Sequence, residues 1–262
     1  METIDISFQN LLFFYLLLIF PLWVFSRFSG VKVREILVSV IRMSFQLLLV
    51  GLYLKYIFDL NSIWISGMWI LVMLLVANFS TLQKAGLRKQ VFFVPTMLGI
   101  SVSTIFVVGF FLWVLVKPDP IYDAQYLIPV TGMILGNCLR GNVLVLERFY
   151  SGIRKNHNEY LTYLLLGATH REAIRPYFFD AINAALSPTI ATMATVGIVS
   201  LPGMMTGQIL GGVFPIVAIK YQIAIMISIF TAMTIASVLN VFLSLHASFN
   251  EYHILRENIF IG

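Results

Sequence analysis

Val196 to Gln208 reads VGIVSLPGMMTGQ, a hydrophobic stretch broken by proline and glycine. Upstream, Glu159 to Pro176 reads EYLTYLLLGATHREAIRP, a polar insertion between hydrophobic spans. The first has the apolarity of a membrane helix but carries residues that disrupt regular helix, because proline removes a backbone donor and glycine admits unusual dihedrals. The second breaks the rhythm of apolar runs and short polar punctuation that fills the rest of the chain.

Composition sets the class. Hydrophobic residues make up 59% of the 262 residues and charged residues 11%, with a mean hydropathy of +0.90. Soluble domains carry roughly 25% charged residues. The chain therefore reads as an integral membrane protein, a single all-α transmembrane domain over 1–262 with no room for a large soluble domain. The net charge of +5 does not point to nucleic acid, because the cations sit in short loops between apolar runs. The single cysteine, Cys138, cannot form an internal disulfide. Glu2 and Asp5, with no Lys or Arg, precede the first apolar run, which suits a retained span better than a cleaved signal.

A span needs about 20 apolar residues. Seven candidates follow: Phe8–Ser26, Ile36–Phe58, Ile63–Leu82, Val91–Val116, Gln125–Leu146, Ala184–Leu201 and Gln222–Leu245. Arg27, Lys32 and Arg34 lie in the first loop, Lys84, Arg88 and Lys89 in the third, and the long fifth connection (147–180) is basic. The even loops are poor in cations. The odd loops are thus expected in the cytoplasm, the N-terminus outside and the C-terminus inside. The sixth span is short, and Pro202, Gly203, Gly207, Gly211 and Gly212 follow it. It ends in either a plain external loop or a re-entrant turn, which survives at membrane depth only against protein or a water-filled cavity.

Within the insertion, Leu161, Leu164, Leu165 and Ala168 form an apolar helical stripe. Gly167 suits a C′ position with positive φ, and Thr169 with Glu172 fits a capping box. Pro176 sets the entry to the next long helix, at its first turn or as a kink. The insertion is either a helix lying on the lipid surface or a rigid knob that docks into a partner protein.

LLLGATHREA, followed by INAALSPTIATMATVGIVSLPGMMTGQILGG, resembles the signature of the FetB-type ABC transporter permeases, implicated in iron export and related to plant aluminium-resistance membrane subunits. IRMSFQLLLVGLYLKYIF (Ile41–Phe58) and IPVTGMILGN (Ile128–Asn137) resemble two further blocks, so the similarity runs from the second span to the seventh. It implies a cell-membrane permease subunit pairing with a separate ATP-binding-cassette protein, in a complex with a second permease copy and two ATPases. Glu159, Leu164, Gly167, Ala168 and Thr169 would then couple to the ATPase. They resemble the Glu-Ala-Ala…Gly element of other ABC permeases, although Tyr160 and Leu161 after Glu159 depart from the importer form. The chain has no G-x-x-x-x-G-K-[ST] loop, so ATP and its magnesium are expected on the partner, and no cofactor is expected on this chain.

Several residues are candidates for a substrate pathway. Arg42 and Gln46 share one face of the second span, with Arg42 on the order of 10 Å inside the boundary. Arg42 either snorkels to the headgroups or faces the bundle. Asn137 and Asn142 flank Arg140, beside Gly132, Gly136 and Gly141, which suit close helix packing. Ser200, Pro202, Gly203, Met204, Met205 and Gln208 form either a tight turn or a gate. Metal ligands are unspecified: the four histidines lie in expected cytoplasmic segments, and the methionine thioethers favour soft metals. Two other function classes compete with an exporter. A non-transporting membrane scaffold leaves the broken segment unexplained. An intramembrane enzyme lacks a cluster of His, Asp or Glu in the spans, so no catalytic role is assigned.

Overall fold

The computed structural model describes residues 6–28 and 33–261; Glu2, Asp5 and Lys32, used above for topology, lie outside them. The regular elements are helices: α1 (Phe8–Phe14), a 3-10 turn (Tyr15–Leu18), α2 (Ile19–Phe28), α3 (Val33–Leu60), α4 (Ile63–Lys84), α5 (Lys89–Phe110), α6 (Ala124–Lys155), α7 (His157–Leu165), α8 (His170–Thr195), α9 (Gly203–Leu210) and α10 (Pro215–Ser248). A π-helical turn, Phe111–Val116, extends α5.

α5 shows why these are membrane helices. Phe92, Thr96, Gly99, Ile100, Ser103, Thr104, Val107 and Val108 are buried at helical spacing. The opposite face carries Leu98, Val102, Ile105 and Phe106, which are apolar and exposed. A helix apolar all round suits lipid on one side and protein on the other. In such a setting an unpaired polar side chain is costly, which favours pairing inside the bundle. Thr96 accordingly donates to Asn78 Oδ1 (2.6 Å), and Asn78 donates to the Phe93 carbonyl (2.9 Å), tying α4 to α5.

α10 lies at the centre, packed against α5, α6, α8 and α9. Its register is fixed by small residues and hydroxyls. A Cβ at Gly99 would meet Asn240 Oδ1 at 2.1 Å, and one at Gly141 would meet Met233 Cγ at 2.5 Å, so both glycines are needed for close approach. Tyr150 Oη lies 2.6 Å from Ser244 Oγ and accepts from Ser248 Oγ at 2.9 Å. Residues 141 and 150 of α6 thus meet 233 and 244–248 of α10, so the two run parallel. α8 runs against them: Tyr177 Oη donates weakly to the Asn156 carbonyl (3.5 Å), and Thr189 contacts Met233 Sδ (3.8 Å). Between the inner helices lie two main apolar clusters. One, at the end carrying Lys84, Arg88 and Lys155, gathers Phe92, Phe149, Tyr160 and Ile259. The other gathers Ile134, Ile225, Ile229 and Met233.

Six of the seven expected spans appear, among the described residues, as helices long and apolar enough to cross a membrane. The sixth, expected over Ala184–Leu201, is corrected: α8 ends at Thr195, and Val196–Pro202 is irregular. Thr189 lies level with Met233, which lies level with Gly141. From there α8 climbs about 9 Å, whereas α6 extends about 25 Å to its far end at Ala124. The eight residues of α9 supply about 12 Å more. Two helical pieces therefore cover the depth that a single span was expected to cover. Within the insertion expected over 147–180, α6 continues to Lys155 and α8 begins at His170, so residues 156–169 hold α7 and its flanking turns.

Candidate functional site

Two places collect the candidate residues. The first is the α7–α8 turn at the basic end. Gly167, at φ +91°, is the turn residue. Its N–H donates to the Leu164 carbonyl and the Ala168 N–H to the Tyr163 carbonyl, both at 3.0 Å, which is a Schellman closure. Thr169 then opens α8 with a complete capping box to Glu172. Caps on both sides make the turn rigid. Glu159 is exposed and accepts from Tyr163 Oη at 2.9 Å. Leu164 packs onto the core, but Leu165 does not belong to the expected stripe; it and Leu166 are 86% and 80% exposed at the tip. Tyr160 takes the buried position instead.

The tip is braced from below. Tyr160 Oη donates to the His253 carbonyl (2.6 Å) and sits 3.0 Å from His170 Nδ1. The His170 and His253 rings stack at 4.6 Å. Burial, and then the neighbouring His253, push the His170 pKa down to about 4. The tail beyond α10 continues to the α4–α5 turn, where Arg88 N–H donates to the Ile259 carbonyl and Ile261 N–H to the Gly86 carbonyl, each at 2.8 Å. Two inter-helix turns and the tail thus form one platform.

The second place is the break between α8 and α9. Gly197 adopts φ +88°, and its N–H closes a tight loop onto the Ser200 carbonyl at 2.9 Å. Pro202 is the N-cap of α9 and Gly203 its first residue. A cavity of about 310 Å³ lies here, lined by Asn137 and Arg140 of α6, Thr189 and Thr192 of α8, Pro202, Gly203 and Met204, and Gln222 of α10. A second, more apolar cavity of about 570 Å³ shares Pro202 and Gln222 with the first and is lined also by Met205. Ser200 is exposed, and Gln208 Oε1 is buried without a hydrogen-bond partner.

The structure thus gathers Asn137, Pro202, Gly203 and Met204 around one cavity. It does not bring Arg42 and Gln46 there: both are exposed on α3. Gly141 packs closely as expected, whereas a Cβ at Gly136 would meet nothing within 4 Å. Sequence reasoning named Arg140 only as the residue between Asn137 and Asn142, and passed over Thr189, Thr192 and Gln222. Arg140 was detectable, as the lone charge between Asp123 and Glu147. The other three become visible only when α6, α8 and α10 are placed side by side.

The model of an uncharacterised protein family, UPF0014, matches residues 8–249. The UPF0014 membrane protein slr1647 of Synechocystis sp. is 40% identical over 193 residues, 74% of each chain. Protein ALUMINUM SENSITIVE 3 of Arabidopsis thaliana is 33% identical over 86% of this chain and 81% of its own. The probable iron export permease protein FetB of Escherichia coli (strain K12) is 32% identical over 84% of this chain and 83% of its own. No solved structure matches.

Proposed function

The chain belongs to the UPF0014 family, and from that premise we propose that it is the membrane-spanning permease subunit of an ATP-binding-cassette exporter of the cell membrane. Its cargo is a metal, iron foremost by likeness to the relative named as a probable iron export permease. Energy comes from ATP hydrolysed with magnesium on a separate ATPase subunit. Two permeases and two ATPases make the complex, so the chain is itself no enzyme.

The observation that carries this reading is the capped α7–α8 tip. Two leucines stand exposed on a turn fixed at both ends, at the basic end of the bundle. Burying one leucine side chain is worth roughly 1.5–3 kcal/mol, and a rigid tip loses little freedom on docking. Glu159, Gly167, Ala168 and Thr169 act by shaping that tip. α8, which carries Pro176 and Pro188 in its interior, runs from the tip to the start of the break at Val196, and its Thr189 and Thr192 line the cavity, so a push on the tip has a continuous helix along which to reach it.

Co-expression with a lone ATP-binding-cassette protein, co-purification, and ATPase measurement against a panel of metals test the proposal. A stable complex stimulated by one metal supports it. A chain that never retains the ATPase, at normal membrane levels, refutes it.

A further inference from the structure

Arg140 lies near the middle of α6, about 22–24 Å along the helix from either end. Among the described residues it makes no ion pair; its Nη2 donates to Asn137 Oδ1 at 2.9 Å. Arg140 is exposed on the surface of the single chain, and a cation at mid-helix depth in a membrane span marks a functional position. Three other features converge on the cavity that it lines. Pro202 gives α9 no side-chain cap, so the first-turn amides at Gly203 and Met204 have no side-chain acceptor there. Such a helix start favours negative charge. Thr189 and Thr192 bring hydroxyls. Gln222 is only 7% exposed, and its Oε1 has no hydrogen-bond partner. That oxygen is an acceptor, so a ligand satisfies it only with a donor, such as a hydroxyl or a protonated acid oxygen carried beside the anionic group.

A bare cation entering this cavity would meet the guanidinium and the positive end of α9. Both repel it. We infer that the cavity is a binding site for an oxyanion group, carboxylate or phosphoryl, and that a metal cargo crosses here as an anionic complex. Arg140 would pair with the anion, the α9 amides would donate to it, and Gln222 Oε1 would accept from a hydroxyl of the same ligand. The inference rests on the permease reading for its meaning in transport, though not for the binding itself.

The test is titration calorimetry on the purified chain in phospholipid-free maltoside detergent. The probes are inorganic phosphate, citrate, ferric citrate and manganous chloride. At least one of the three anions is expected to bind, and Arg140→Gln is expected to weaken it at least tenfold, with Arg140→Lys weaker by less. Phosphate alone would identify a phosphoryl ligand; citrate, free or with iron, a carboxylate one. Gln222→Leu serves as the second variant if Arg140→Gln does not fold, with a loss of at least threefold expected. The inference is overturned if none of the anions binds, if only manganous chloride binds, or if the variants bind as the native chain does. Binding is read on this chain alone. Failure to find an ATPase partner would therefore sink the permease reading and leave this one standing.

Discussion

At the scale of the residue, Gly167 is the most exposed to test. Its φ of +91° is one that a side chain disfavours, and β-branched side chains disfavour it most. Gly167→Val is expected to cost on the order of 1–3 kcal/mol locally. Because the turn lies outside the membrane bundle, the loss should appear in coupling rather than insertion. Substrate-stimulated ATPase activity of the complex should fall severalfold at unchanged membrane levels; full activity would show that the turn is not needed. His170 gives a second test. Burial holds its pKa in the folded chain at about 4, below the ordinary histidine value of 6.5. The unfolded or undocked state therefore takes up a proton before the docked one does. Stability of the tail against α7 and α8 should be intact above pH 6.5 and decline as pH falls toward 4. Limited proteolysis after Phe249 across that range would measure it, and His170→Phe should flatten the dependence.

At the scale of the element, the caps of the α7–α8 turn were legible, because Gly167, Thr169 and Glu172 act through local backbone chemistry. The α8–α9 break was legible only in kind. Pro202-Gly203 suggested an interruption at those residues, yet helix stops at Thr195 and resumes at Gly203. Proline is compatible with a helix start, so Pro202 caps the new helix instead of ending the old one. Gly197, with its positive φ, makes the turn, and nothing in the local pattern separates it from the packing glycines. Leu165 misled for a related reason: helical spacing places it on the stripe, but α7 ends there and the tip leaves it unpacked. Arg140 and Gln222 belong to different helices, and only tertiary packing joins them.

At the scale of the whole molecule, α1–α3 present mostly exposed apolar faces, and no residue in their candidate span windows is buried. Ile198, Val199 and Leu201 of the break are also exposed. Irregular backbone at membrane depth must meet protein or water, which fits a second copy of the chain, or a pathway, against this face. Orientation rests on the cation bias of the loops and is testable on a Cys138→Ala background. Lys89→Cys should resist an impermeant reagent added outside intact cells and react after permeabilisation. Labelling from outside would invert the topology.

If the chain is the permease proposed, the break beside α9 is part of the route by which cargo crosses. A Cβ at Gly203 would meet nothing within 4 Å, so Gly203→Leu should fill cavity space without a backbone clash. The direct measurement is ATP-dependent metal flux in proteoliposomes holding this chain and its ATPase. Flux is predicted to fall at least tenfold in Gly203→Leu, with assembly and basal ATPase activity kept. Undiminished flux in a well-assembled Gly203→Leu complex would contradict the account.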